Sequence, residues 1–148
     1  ITPLKALQGL IWEAGYRNSD FHGHVYPDAA EKLRAWQTSG LKLYIYSSGS
    51  VHAQKLLFGH TGYGDLTTLF SGYFDTRIGA KTDPASYRAI QAEVGTAAEN
   101  ILFLSDIAAE LDAARTTGMQ TVQLLRPADG AQASDHPAAR DFNEIRLD

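Results

Sequence analysis

Short apolar runs alternate with amphipathic stretches along most of this chain. Residues 41–46 read Leu-Lys-Leu-Tyr-Ile-Tyr and stop at Ser47. Residues 101–104 read Ile-Leu-Phe-Leu and stop at Ser105-Asp106, and residues 121–125 form a third run of the same kind. Runs this short, rich in β-branched and aromatic residues and bounded by turn formers, predict strands. Residues 69–78, with Phe70, Tyr73 and Phe74, predict a short strand or an irregular crossover. Between these lie helical patterns. Residues 27–36 place Leu33 and Trp36 inward, with Gly40 suited to the C-terminal end. Residues 51–58 start on a Ser/Gly loop. Asp83 suits an N-cap and Pro84 a first helical position, with Tyr87, Ile90 and Val94 facing inward and Gly95 ending the helix. Residues 108–117 predict a fourth helix. Ahead of all these, Leu4, Leu7, Leu10 and Ile11 fall at helical spacing over residues 3–14, with Pro3 fit for a first turn and Gly15 for a stop. Residues 16–25 read as a polar connection.

Strands alternating with helices over short links imply βαβ units and a parallel sheet. Ligands in such sheets bind outside the carboxyl ends of the strands, where Ser47 and Asp106 both fall. The 148 residues suit one domain, and a net charge of −4 argues against nucleic acid or an anionic membrane as the main partner. Without cysteine, thiolate catalysis, thiolate metal sites and disulfides are excluded. No apolar run approaches the roughly 20 residues of a membrane span, and the first residues are not a secretory signal. A soluble, cytoplasmic protein is expected, and a start on Ile1 hints at a segment removed upstream. After Arg126-Pro127 the composition turns to Ala, Asp, Gly, Ser and Pro, which predicts a loosely held tail anchored by Phe142 and Ile145.

Three polar elements carry candidate chemistry. Ser47-Ser48-Gly49-Ser50 offers hydroxyls and backbone N–H groups at a helix N-terminus, which suits an anion. Ser48 or Ser50 suits a helix cap equally well, while Gly49 permits close backbone approach. Lys81 would offset phosphoryl charge, although a lone loop lysine is ordinarily solvated. Asp106 suits Mg²⁺ or the capping of the next helix, and Glu110 follows one helical turn later. Asp112 is expected to face solvent or make a local ion pair. His22-Gly23-His24 is a weak metal pattern that reads better as loop, and His52, His60 and His136 are scattered. Neither a nucleophile elbow nor a Walker loop is present. Trp12 and Trp36 suit core or rim, since no basic face accompanies them.

In order, Tyr44-Ile45-Tyr46-Ser47-Ser48-Gly49-Ser50, then Lys81, then Phe103-Leu104-Ser105-Asp106 with Glu110, resembles motifs two to four of the haloacid dehalogenase superfamily. Residues 5–12 (KALQGLIW), 46–58 (YSSGSVHAQKLLF), 70–79 (FSGYFDTRIG) and 101–113 (ILFLSDIAAELDA) look like the acireductone synthases, the enolase-phosphatases of methionine salvage. The similarity runs over residues 4–125, with an echo at His136-Pro137 and Phe142. It implies a Mg²⁺-dependent enzyme that enolises 2,3-diketo-5-methylthiopentyl-1-phosphate and then removes the phosphate. By resemblance, Ser47 and Ser48 contact the phosphate, with Gly49 beside them. Lys81 holds that phosphate and acts in catalysis, Asp106 ligates Mg²⁺, and Glu110 supports from behind.

The resemblance also implies a Rossmann-like α/β fold with a helical cap. Residues 1–24 would be the C-terminal part of the cap, 25–127 the core and 128–148 the tail. One departure is large. The family opens on a strand ending in Asp-x-Glu-Gly-Thr, whose first aspartate is the nucleophile, and nothing before Ser47 matches it. A parallel sheet missing its first central strand is therefore expected, in a chain inactive by itself. The gap would be filled by direct pairing of the flanking strands, by a second copy or by the missing segment, the intact protein being a monomer. Two alternatives stay open: a non-catalytic phosphate- or metabolite-binding domain, and another phosphatase of the same superfamily.

Overall fold

The computed structural model describes residues 7–13, 26–126 and 132–145. Its frame is a parallel sheet of six strands: β1 (Gly9–Glu13), β2 (Lys42–Tyr46), β3 (Phe70–Phe74), β4 (Ile101–Ser105), β5 (Gln120–Leu124) and β6 (Ala138–Ala139). Their spatial order is β3-β2-β1-β4-β5-β6. Four helices connect them: α1 (Pro27–Thr38), α2 (Val51–Gly59), α3 (Pro84–Val94) and α4 (Ala108–Thr116).

Side-chain alternation along each strand divides the core into two layers. Leu10, Leu43, Ile45, Leu102, Leu104, Val122 and Leu124 pack on one face against Leu33 and Trp36 of α1 and Phe58 of α2. Ile11, Tyr44, Tyr46, Ile101 and Phe103 pack on the other against Tyr87 and Ile90 of α3 and Leu111 of α4. Because both faces are covered, the strands read as nearly continuous apolar runs. Sequence cues also set the helix boundaries. Pro27 and Pro84 begin α1 and α3, the Asp83 carboxylate accepts from the Ala85 N–H, and Gly95 ends α3 in the left-handed region at φ 76°.

The amino-terminal stretch departs from expectation. Gly9–Glu13 is not helical; it is the central strand, in parallel register with β2 (Gly9 beside Lys42, Glu13 beside Tyr46) and with β4 (Gly9 beside Ile101, Trp12 beside Leu104). The sheet therefore has no gap: the chain fills the slot between β2 and β4 itself. Helical spacing misled because Leu10 and Ile11 are consecutive apolar residues that serve opposite faces of a strand. A segment buried on both sides and paired along both edges gains two ladders of hydrogen bonds that a helix there would forgo. The rest of the expected helix, at residues 3–6 and 14, and His22-Gly23-His24 lie outside the described residues, as does most of the stretch assigned to a cap.

The carboxyl-terminal segment is held more tightly than its composition suggests. Phe142 and Ile145 are buried as expected, and β6 pairs with β5. The Phe142 ring lies against those of Trp12 and Trp36, with centroids 5.4 and 5.8 Å apart. Arg126 makes a bidentate pair with Asp28 at 3.0 and 2.7 Å, and the Phe142 N–H donates to the same carboxylate. Burial by itself would raise the Asp28 carboxyl; Arg126 and the Phe142 N–H outweigh it and hold it below the usual range. A loose tail would tolerate truncation of Phe142. Phe142→Ala is instead expected to cost about 3–5 kcal/mol, read as a lowered midpoint in urea unfolding with an unchanged slope.

Candidate active site at the carboxyl edge of the sheet

Four adjacent strands end on a polar residue at one edge: β1 on Glu13, β2 before Ser47, β3 before Asp75, and β4 on Ser105 with Asp106 next. Strand order turns back on itself between β1 and β4, the point at which open α/β sheets form their binding crevice.

Lys81 reaches this crevice from a loop whose path is held by three hydroxyl groups. Tyr46 donates to the Gly79 carbonyl (2.6 Å), Ser86 to Ala80 (2.6 Å) and Tyr87 to Lys81 (2.5 Å). Gly79 sits at φ 141°, and a Cβ there would lie 2.1 Å from Ser86 Oγ. The Lys81 side chain is only 14% exposed, so it is not an ordinary solvated loop lysine. Its ammonium pairs with the Glu13 carboxylate and lies 3.8 Å from Glu110 Oε2.

Ser47 is fully buried, and its hydroxyl accepts from the Gly49 N–H at 3.2 Å. That bond shapes the loop and leaves the hydroxyl proton free to donate. Ser50 performs the capping role, its Oγ accepting from the Ala53 N–H at 3.1 Å. Ser48 is exposed and has no hydrogen-bond partner among the described residues. Division of labour thus resolves the two roles suited to the loop: Ser50 caps α2, while Ser47 and Ser48 stay available. The first N–H of α2, on Val51, is taken by Asp75 Oδ2 at 3.2 Å.

Asp106 does not cap α4. The Ser105 hydroxyl accepts from the Ile107 N–H (3.0 Å) and donates to Glu110 Oε1 (3.2 Å). Among the described residues the Asp106 carboxylate has no hydrogen-bond partner, and it stays partly open to solvent. Glu110 is instead buried behind it. Burial pushes the Glu110 carboxyl up to about 7; Glu13 adds to the rise, while Lys81 opposes it. Burial also raises Glu13, with Lys81 opposing and Asp106 adding. The Lys81 ammonium thus meets two carboxyl groups, Glu13 and Glu110, and the charge of Asp106 lies near both.

Ser47, Lys81, Asp106 and Glu110, predicted from the sequence, are thus gathered at one edge. Glu13, Asp75 and Ser105 were missed as members. A signal for them existed: Gly9–Glu13 and Phe70–Phe74 are apolar runs that lead into an acid, as residues 101–106 do. Asp112 pairs with Arg115 at 3.5 Å, as expected of a local ion pair. His136, which looked scattered, is buried between Thr121 Oγ1 (2.6 Å) and Asp112 Oδ1 (2.7 Å). With Asp135, it and Asp112 form the one group of three clustered metal-ligating side chains among the described residues. Arg115 already bridges both carboxylates there, at 3.1–3.5 Å.

A doubly covered parallel sheet with a lysine, a serine loop and an acid at its carboxyl edge defines an α/β protein with a candidate anion site at its switch point. Residues 5–118 match the haloacid dehalogenase-like hydrolase family, and the chain belongs to it. The chain is 65% identical over 146 residues to enolase-phosphatase E1 of Methylococcus capsulatus and 63% identical over 142 residues to that of Thioalkalivibrio sulfidiphilus. These alignments cover 99% and 96% of this chain but 64% and 63% of the relatives, so the chain spans under two thirds of their length. Among solved structures, the UTR4 protein of Saccharomyces cerevisiae matches 82% of this chain and 57% of its own, with TM-score 0.72 and 37% identity. L-2-haloacid dehalogenase from Xanthobacter autotrophicus shares the fold, over 80% of this chain and 58% of its own, at TM-score 0.64 and 21% identity.

Two outcomes follow from this geometry. Gly79→Ala forces the loop off Ser86 and is expected to cost roughly 1–3 kcal/mol, visible in thermal melts. The raised Glu110 carboxyl holds a proton in the fold that the unfolded chain releases from about pH 4.5 upward. Its contribution to stability is complete below that pH and is lost as pH rises through about 7. Melts of Glu110→Gln from pH 4.5 to 7.5 should show a shallower decline than the parent, with Glu13, Lys81, Asp106 and Tyr87 as the ionisable groups still facing the site.

Proposed function

We propose that the protein to which this chain belongs is a Mg²⁺-dependent enolase-phosphatase of methionine salvage. It would convert 2,3-diketo-5-methylthiopentyl-1-phosphate to the acireductone, as a cytoplasmic monomer. What carries this reading is a largely buried Lys81 ammonium held by Glu13 at the end of the central strand, at the same sheet edge as the Ser47 hydroxyl loop. The relatives named enolase-phosphatase narrow the substrate class.

In this reading Ser47 and Ser48 donate to the phosphate oxygens, with Gly49 keeping the backbone close. Lys81 neutralises the charge that develops as the phosphoryl group transfers. The donor set suits Mg²⁺: the Asp106 carboxylate has no hydrogen-bond partner among the described residues, and two further carboxyl groups, Glu13 and Glu110, lie near it. When bound, the ion polarises the phosphoryl oxygens and offsets the carboxylate charge. Glu110 orients Lys81 from behind.

β1 ends on Glu13, engaged by Lys81, and no aspartate stands at that strand end. Covalent phosphoryl transfer of the family type needs an aspartate nucleophile there. The chain by itself is therefore proposed to bind phosphate without turning substrate over. The test is phosphate release from the diketo phosphate ester in Mg²⁺ buffer, by this chain alone and with the remaining part of a relative added. Release only in the mixture, lost again in Lys81→Met, is the expected result; robust release by the chain alone would refute it.

The rival reading, a phosphate-binding domain with no catalytic role, is favoured by the same Glu13 contact. The mixing experiment separates the two, because a pure binding domain gains no turnover from the added part.

A further inference from the structure

We propose that Glu13 is an internal competitor for the phosphate seat: its carboxylate occupies the Lys81 ammonium and must yield it before an anion can bind there. The inference rests on the reading of Ser47, Ser48 and Lys81 as a phosphate grip.

The other donors around the seat are mostly spent. The Gly49 N–H is taken by Ser47 Oγ, the Val51 N–H by Asp75 and the Ala53 N–H by Ser50 Oγ. Lys81 brings full positive charge to the seat, and that charge already has a partner. Glu13 is 5% exposed and ends a strand that is paired on both edges. It is thus a fixed group rather than a surface side chain that drifts into contact.

Lys81 cannot escape by moving away. Its loop is held at the Gly79, Ala80 and Lys81 carbonyls by Tyr46, Ser86 and Tyr87. Exchange at the ammonium is therefore direct: a phosphate oxygen arrives as the Glu13 oxygen leaves. The released carboxylate is left near the charge of Asp106 and beside the buried Glu110 carboxyl, with no cation to replace Lys81 among its described partners. Losing a buried partner is costly for such a group. Phosphate affinity is weakened by that cost, and relief of it by charge removal should appear as tighter binding.

Glu13→Gln keeps the side chain's size and polarity but removes its charge. Inorganic phosphate is the probe, followed by isothermal titration and by ³¹P resonance shifts, with the parent, Glu13→Gln and Lys81→Met compared at one salt concentration. The expected result is phosphate binding on the order of tenfold tighter in Glu13→Gln, equivalent to about 1.4 kcal/mol, and none in Lys81→Met. Equal or weaker binding in Glu13→Gln, with Lys81→Met still unable to bind, overturns the competition and leaves the phosphate grip standing. Absence of saturable binding in both the parent and Glu13→Gln overturns the grip itself. A second measurement needs no variant. With ¹³C-labelled glutamate in the parent chain, the Glu13 carboxyl resonance should move along the same phosphate titration, and a resonance that stays still refutes the exchange.

Discussion

Two strands, β2 and β4, carry the residues that define the site, and each turns one edge toward the same slot. Backbone N–H and C=O groups buried along those edges must find partners. β1 satisfies both at once, in register over Gly9–Glu13 on the β2 side and Gly9–Trp12 on the β4 side. The spacing of Ser47 from Asp106 follows from that insertion, and so does the appearance of a carboxylate between them. Without β1 the sheet divides into β3-β2 and β4-β5-β6, and the site divides with it.

The second constraint is electrostatic. A lysine that is largely buried requires an anionic partner, and the strand that closes the sheet also delivers one. Sheet completion and occupation of Lys81 are therefore a single structural event. The hydroxyl groups of Tyr46, Ser86 and Tyr87 fix the backbone that carries Lys81, and the Glu110 carboxyl lies 3.8 Å from its ammonium. The Lys81 ammonium in this setting already holds a carboxylate of its own chain.

Most elements were legible from residue order. Pro27, Asp83, Pro84 and Gly95 mark helix ends through backbone geometry that operates locally, and β2, β4 and β5 announce themselves as buried runs. The stretch around Leu10 and Ile11 was not legible. Its apolar spacing satisfies helical periodicity, and only an open slot with two waiting ladders selects the strand. His136 shows the same limit at the other end: its surroundings, Thr121 and Asp112, lie 15 and 24 residues away. Nothing local to His136 signals its burial.

The sequence by itself determined the alternation of strands and helices, the parallel sheet, and the position of Ser47 and Asp106 where strands stop. These depend on short-range patterning and on where strands stop. Tertiary structure decided which serine caps and which stays free, that Ser105 rather than Asp106 serves the start of α4, and that Glu13 takes Lys81. Those outcomes turn on which groups are brought within bonding distance across the sheet, and that distance is a property of strand order and register, not of residue order.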